Sequence, residues 1–189
     1  MNNLFKKSIQ EYQKGRDLVY ELKKHSDRIR TKSKKAIALL RRDNLRESQE
    51  VIEEIENIFK TANKLIQKNL DLVNAGFYKE AVEEYIEAKV FYDFLSQSPE
   101  KIPDFIKVKP EEIIGGFCDF TGELVRKAIT LAGSKNFEKI LDYKETVEKV
   151  IEEMTKIGLE GKLRQKYDEV ERNLRKIEDI LYDLRVRGS

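Results

Sequence analysis

The sequence predicts an all-α protein, a bundle of about six antiparallel helices, some of them long, in a single domain that spans residues 1–189. Two observations predict this class. The three prolines, Pro99, Pro103 and Pro110, all lie in one short stretch, so no proline interrupts a helix elsewhere. The chain is also rich in good helix formers such as Glu, Lys, Leu and Ala, and it lacks the alternation of polar and apolar residues that marks a β-strand.

Apolar residues recur at helical spacing in six segments, which we predict to be the helices. The segments are residues 3–42, 45–72, 77–96, 110–131, 136–157 and 162–184. The first would be about 60 Å long, at about 1.5 Å per residue, and should therefore pack along several neighbours. Asp43 and Asn44 favour a turn or an N-cap before the second helix, and Gly76 favours a break after it.

The third predicted helix is apolar on nearly all sides, which is typical of a central, buried helix. A proline-containing loop, residues 97–109, connects it to the fourth. Pro110 suits the first position of that fourth helix, and two glutamates in its first turn favour the helix dipole. The fifth and sixth helices each carry an apolar stripe, and Gly158 and Gly161 lie between them.

The composition excludes several classes of function. The formal net charge is +2, and the single Cys and single His can form neither an internal disulfide nor a zinc site of the usual kind. No run of about 18 apolar residues occurs, and the N-terminal residues have no apolar core, so we expect neither a membrane span nor a signal peptide. We therefore expect a soluble, cytoplasmic protein without a membrane partner, whose chemistry depends on carboxylates, lysines and arginines.

The fourth predicted helix carries an unusual segment, GGFCDFTGELVR, at residues 115–126. Each of its three glycines costs about 1 kcal/mol relative to alanine, which a helix tolerates where another group approaches its backbone closely. Asp119 and Glu123 lie four residues apart and so share one helix face with Gly116 and Arg126. The other faces carry side chains that we expect to pack, namely Phe117, Phe120, Leu124 and Ile129.

A second set of acids follows one face of the third predicted helix, at Glu80, Glu84 and Glu87. Antiparallel packing of the third and fourth helices would bring the last two of these to Asp119 and Glu123. Four neighbouring carboxylates repel one another unless a cation compensates, and oxygen ligands favour Mg²⁺ or Mn²⁺ over zinc or copper. A carboxylate-held Mg²⁺ activates water in phosphodiester cleavage. The alternative is an ordinary solvated helix face, because such spacings arise freely in a chain this acidic.

Residues 28–42 contain seven cations and no acid. At about 100° per residue they divide into two stripes. The first basic stripe consists of Arg28, Lys32, Lys35 and Arg42, and the second basic stripe of Arg30, Lys34 and Arg41. Such stripes hold phosphates without reading a base sequence, although a solvated cationic face is an equal alternative. We expect His25 to be a surface group and Cys118 a small buried hydrophobe.

Four segments resemble the translin family, and within it the type called translin-associated factor X (TRAX) more than translin itself. They are DRIRTKSKKAIALLRR (27–42), EEYIEAKVFYDFL (83–95), IGGFCDFTGELVRKAI (114–129) and YDEVERNLRKIEDILYDLRVRGS (167–189). They occur in the family's order, and GGF-x-D-x-TGEL-x-R and the closing YDL-x-VRGS are the most specific parts. The chain lacks the longer terminal tails of eukaryotic TRAX, which leads us to expect a compact prokaryotic or archaeal version that assembles with itself.

The resemblance implies a bundle of long helices that assembles into a hollow oligomer, typically an octamer, and binds single-stranded nucleic acid. For the TRAX type it implies a Mg²⁺-dependent endoribonuclease, with Mn²⁺ as a substitute ion, that cleaves single-stranded RNA inside the shell; single-stranded DNA is left open as a ligand. Its catalytic and metal-binding acids fall in the E-Y-x-E-A and D-x-TGE motifs, that is, on Glu84, Glu87, Asp119 and Glu123.

Translin subunits lack the full acidic set, so its presence favours the catalytic type. The RNA would then contact Arg126 and both basic stripes, namely Arg28, Arg30, Lys32, Lys34, Lys35, Arg41 and Arg42. Two alternatives stay open: a non-catalytic shell of the translin type that only binds nucleic acid, and a helical scaffold with no nucleic-acid role.

Overall fold

Six α-helices make up most of the part of the chain that the structure, a computed structural model, describes, which is residues 3–133 and 136–187. They are α1 (Asn3–Leu40), α2 (Leu45–Ile66), α3 (Gly76–Ser96), α4 (Pro110–Gly133), α5 (Phe137–Thr155) and α6 (Gly161–Arg187). These two described ranges contain no β-strand, which confirms the predicted all-α class. Within them, no helix combines the length and the apolar character needed to cross a bilayer.

The boundaries of α2 illustrate how capping residues divide the chain. Asn44 is its N-cap, as expected, and the side chain accepts a hydrogen bond from a backbone amide of the first turn. The helix ends at Ile66 rather than near residue 72 as predicted, and a 3-10 turn, Leu70–Asn74, follows it. Asn69 caps that turn through the amide of Asp71 and has an extended backbone, so the preceding helix has to end before it.

The two central helices of the bundle are α3 and α4. Helices α1 and α2 pack on each other and on α3, whereas α5 and α6 pack on each other and on α4. The predicted burial of α3 is confirmed, because Tyr85 and Phe91 have no exposed surface. Phe59 of α2 packs edge-on against Tyr85, with ring centroids 5.2 Å apart, and Phe120 of α4 packs against Phe91.

The N-terminal half of α1 carries apolar side chains that this chain alone does not bury. Burial begins only at Leu22, because α1 has 38 residues and extends beyond its partners α2 and α3, which have 22 and 21. The exposed fractions lie between 40% and 70% for Leu4, Phe5, Ile9, Tyr12 and Val19. The expectation that Ile129 packs in the bundle is wrong, since this side chain is 60% exposed.

Gly115 and Gly116 allow α3 and α4 to approach each other closely. A Cβ on Gly116 would lie 2.5 Å from Cγ2 of Ile86 and 3.0 Å from the backbone oxygen of Glu83. A Cβ on Gly115 would lie 2.7 Å from Cδ of the same glutamate. Gly122 differs, because the nearest atom to its Cβ would be 3.7 Å away, an ordinary contact. The predicted close approach therefore explains two of the three glycines in the segment.

Gly116→Ala should destabilise the fold by roughly 1–3 kcal/mol, because the new methyl group overlaps Ile86 and the α3 backbone. That overlap outweighs the gain of about 1 kcal/mol in helix propensity. Gly122→Ala is the matched control on the same helix and should be neutral or slightly stabilising, because its Cβ has room. Urea unfolding of both variants measures the difference, and equal stabilities would contradict the close approach of the two helices.

Candidate functional site

The packing of α3 against α4 brings the four acids of interest together. Glu84 and Glu87 project from α3, and Asp119 and Glu123 project from α4. The carboxylates lie near enough that the charges of the other three all act on Glu87. We call these four residues the acidic quartet. The structure thus places in one site the residues that helical spacing singled out on two separate segments.

Glu123 is the most deeply buried member of the acidic quartet, with a side chain that is 6% exposed. It accepts two hydrogen bonds from the guanidinium of Arg41, in the turn that follows α1, at 2.5 Å from Nε and 2.7 Å from Nη2. This two-pronged geometry is the strong form of a carboxylate–guanidinium pair. Nε of Arg126, one turn further along α4, lies 3.4 Å from Oε1 of the same carboxylate.

Two further members of the quartet also pair with cations of the chain. Lys166 of α6 donates a hydrogen bond to Oδ1 of Asp119. On the opposite side of the site, Nζ of Lys34 lies 3.5 Å from a carboxylate oxygen of Glu84. Three acids of the quartet are therefore neutralised by lysines or arginines from α1, the turn that follows it, α4 and α6.

Glu87 is the exception, because it has neither a hydrogen bond nor an ion pair with any residue that the structure describes. Burial raises its pKa to about 8, and the charges of Asp119, Glu123 and Glu84 contribute to the same shift. In this environment Glu87 is largely protonated at neutral pH. A cation that came close to Glu87 would lower this pKa, so the site favours an additional positive charge.

The chemistry of the quartet suits a hard divalent cation, since all its donor atoms are carboxylate oxygens. In the arrangement shown, however, no three acids, histidines or cysteines among the described residues lie close enough together to hold a metal ion. In this arrangement Asp119 is hydrogen-bonded to Lys166 and Glu123 to Arg41. Metal binding would therefore require the carboxylates of the quartet to move closer together.

The second basic stripe lies against acids of α3 and α4 and is therefore neutralised. Besides the pairs of Lys34 and Arg41 within the quartet, Nη1 of Arg30 lies 3.3 Å from a carboxylate oxygen of Glu80. These three cations were predicted as RNA contacts, and the structure places them as partners of the acids.

The first basic stripe has a different environment. Lys32 pairs with Glu54 of α2, but Arg28, Lys35 and Arg42 are exposed and make no ion pair within the described part of the chain. The same surface continues towards the N-terminus and forms a shallow groove of about 660 Å³, lined by Tyr20, Lys23, Lys24, Asp27, Arg28, Thr31, Lys32 and Lys35. This groove presents unpaired positive charge on the outside of the molecule.

Sequence reasoning missed two residues beside the quartet, Glu83 and Lys166. Glu83 is 7% exposed and lies four residues before Glu87, a spacing that places both on one side of α3. The available signal was the pair Lys162 and Lys166, four residues apart on α6, which shares one helix face. That spacing does not indicate which acids the lysines contact.

The two lone residues lie outside the acidic quartet. Cys118 is buried as predicted, and burial raises the pKa of its thiol to about 12, which makes it an unreactive packing group. His25 is half-buried rather than a surface group, and its Nδ1 has no hydrogen-bond partner among the described residues.

Comparisons with known proteins give one consistent relationship. A family model described as Translin family matches residues 17–188. Translin-associated protein X from Pongo abelii is 25% identical over an alignment 228 residues long, gaps included. The alignment covers 98% of this chain and 78% of that protein. The protein of the same name from Rattus norvegicus is 23% identical over 227 aligned residues, with the same coverage.

Solved structures show the same fold. The crystal structure of apo-NeC3PO superposes with a TM-score of 0.86 and 23% identity, and the match covers 97% of this chain and 98% of that chain. The structure of AfC3PO in complex with duplex RNA superposes with a TM-score of 0.83 and 21% identity, covering 97% of both chains. The helical bundle described above is thus the fold of these two proteins.

Proposed function

The chain belongs to the Translin family, and we propose that it is a Mg²⁺-dependent endoribonuclease that cleaves single-stranded RNA. The acidic quartet carries this proposal, because four carboxylates lie near one another and Glu87 forms no ion pair with a described residue. A fold alone does not define a function, so the argument depends on this site rather than on the helical bundle.

The residues that would hold Mg²⁺, or Mn²⁺ in its place, are Glu84, Glu87, Asp119 and Glu123. When bound, the ion supplies a Lewis acid and an activated water for attack on the phosphodiester. The chain itself supplies the positive charge around the substrate. Arg126, whose side chain is 63% exposed beside Glu123, is placed to contact a phosphate next to the quartet.

The exposed first basic stripe supports RNA binding. Arg28, Lys35 and Arg42 are free of ion pairs in the described ranges, so they are available to neutralise phosphates without base readout. A solved relative, AfC3PO, is described in complex with duplex RNA, which supports RNA as the class of ligand for this chain. Single-stranded RNA as the substrate, with single-stranded DNA as a further ligand to be tested, is our proposal.

We also propose assembly into a homo-oligomer, an octameric shell with the acidic quartet facing its interior. The exposed apolar residues of the N-terminal half of α1 support assembly, because a single chain leaves them in contact with water. Size-exclusion chromatography with light scattering measures the number of subunits directly.

The test of the catalytic proposal is cleavage of an end-labelled single-stranded RNA in Mg²⁺ and in EDTA. We expect internal cuts in Mg²⁺, none in EDTA, and recovery when excess Mg²⁺ is added back. Cleavage that persists in EDTA would contradict the metal dependence. The same preparation tested on a labelled single-stranded DNA shows whether the site requires the 2′-hydroxyl.

A second candidate is a non-catalytic protein that only binds nucleic acid. The observation in its favour is that cations of the chain already pair with three of the four acids. RNA that is bound but uncut in Mg²⁺, with an affinity that falls as salt rises, would favour this second candidate. Absence of binding, or binding that does not respond to salt, would instead indicate a scaffold with no nucleic-acid role.

A further inference from the structure

Glu83 is a buried acid that the proposed chemistry does not use. It lies on α3 where α4 crosses, and the missing Cβ of Gly115 leaves room for its carboxylate, which would otherwise be only 2.7 Å from that atom. Its oxygens accept hydrogen bonds from two lysines of α6, Lys162 at 2.5 Å and Lys166 at 2.8 Å. These hydrogen bonds hold the pKa of Glu83 below its usual range, although burial works to raise it.

The ammonium of Lys166 is shared between two acids from different helices. It lies 2.8 Å from Oε1 of Glu83 on α3 and also donates to Oδ1 of Asp119 on α4, with a side chain that is only 15% exposed. The other carboxylate oxygen of Asp119, Oδ2, makes no hydrogen bond with any described residue. One lysine of α6 thus joins the two central helices at the edge of the acidic quartet.

The burial of the Glu83 carboxylate beside Lys166 requires an explanation. Lys166 can pair with Asp119 without a second acid. Burying the charged carboxylate of Glu83 is costly unless that carboxylate is paired. Glu83 provides a fixed, buried acceptor that keeps the Lys166 ammonium from moving into solvent. Because α6 packs on α4, the contact between Glu83 and Lys166 also determines where the Lys166 ammonium meets Asp119.

We propose that Lys166, anchored by Glu83, is a positioning residue that orients Asp119 within the acidic quartet by occupying Oδ1 and leaving Oδ2 for the cation. This inference rests on the proposed function, since it assumes that Asp119 is a ligand of Mg²⁺. Partners that hold a metal ligand from behind affect metal affinity by about 10-fold to 100-fold when removed. Lys166 does not have to touch the RNA or the cation to have this effect.

The test measures the dissociation constant for Mg²⁺ by calorimetry on the full chain. Lys166→Met should weaken Mg²⁺ binding by about tenfold or more, and Lys166→Arg should restore part of the affinity. Lys162→Met is the matched control, because it removes the same charge from Glu83 without contacting Asp119, and it should change the affinity little. Glu83→Gln keeps the shape of the anchor and should weaken binding in the same direction by less than Lys166→Met.

The outcomes separate this inference from the function on which it rests. Equal affinities in wild type and Lys166→Met, or tighter binding in Lys166→Met, would overturn the positioning role, because that lysine would then be inert or a competitor of Mg²⁺. Wild-type protein that binds no Mg²⁺ would overturn both the inference and the metal-dependent function. Circular dichroism checks that each variant is folded. If Lys166→Met does not fold, the Mg²⁺ affinities of Glu83→Gln and Lys166→Arg decide whether the positioning role holds.

Discussion

Glu123→Ala is expected to abolish Mg²⁺-dependent cleavage, by a factor of about a thousand or more, while the size of the oligomer stays the same. A thousandfold loss corresponds to about 4 kcal/mol of transition-state stabilisation, which is reasonable for a metal ligand. The loss has a second cause in this structure. The variant leaves the Arg41 guanidinium without its two-pronged partner, so positive charge remains where the quartet would receive a cation.

The control for Glu123→Ala has to remove an equally buried, paired carboxylate elsewhere. Asp93 provides it, because it is 2% exposed and bonds to Lys89 at 2.6 Å, outside the acidic quartet. Asp93→Ala should lose stability to a similar degree and keep its cleavage activity. RNA binding in EDTA should survive in Glu123→Ala, because the first basic stripe is untouched. A Glu123→Ala protein that still cuts RNA in Mg²⁺ would remove this residue from the proposed active site.

The fold could be predicted wherever local patterns decide the structure. The continuous apolar surface of α3 predicted its central position, and Asn44 predicted the start of α2, because both signals lie within a few residues. The end of α2 was missed because the cap at Asn69 competes with a helical pattern that continues beyond it. The exposed half of α1 was missed because apolar spacing predicts an apolar face but does not show what covers it.

In the candidate site, too, local spacing predicted some features and missed those that depend on helix packing. Spacing along one helix identified each pair of acids, and the glycines of α4 indicated that another helix comes close. The sequence did not show which cations pair with these acids, because Lys166 is on α6 and meets Asp119 only through the packing of that helix on α4. The second basic stripe was recognised, but the acids that it faces depend on how α1 packs on α3 and on where the turn after α1 meets α4, and local spacing does not show either.

Glu87→Gln is expected to make the metal-free protein more stable than wild type at alkaline pH. The pKa of Glu87 is about 8 in the folded chain, against an ordinary value of 4.5. A raised pKa means that the folded state holds the proton more tightly, so this stabilisation is complete below about pH 4.5 and is lost as pH rises through about 8. At about 1.4 kcal/mol per pKa unit, the loss is on the order of 3–5 kcal/mol. Glutamine keeps the shape of the side chain and does not titrate.

Urea unfolding in EDTA at pH 5.5, 7 and about 8.5 measures this effect. The free energy of unfolding of wild type should fall relative to Glu87→Gln across that range, whereas the exposed residue Glu145 of α5 gives a control, Glu145→Gln, that should follow wild type. Parallel curves for wild type and Glu87→Gln would show that Glu87 is not held in its protonated form.

Addition of Mg²⁺ connects this electrostatic penalty with the proposed function. A cation that binds the folded state stabilises it in proportion to the logarithm of its concentration above the dissociation constant. In wild type at about pH 8.5, Glu87 is charged and forms no ion pair with a described residue, so Mg²⁺ should recover much of the stability that the alkaline shift removed. Glu87→Gln has neither the penalty nor the ligand, so the same Mg²⁺ should stabilise it far less. If both proteins gained equally, the ion would bind away from Glu87, and the acidic quartet would be a structural cluster rather than a metal site.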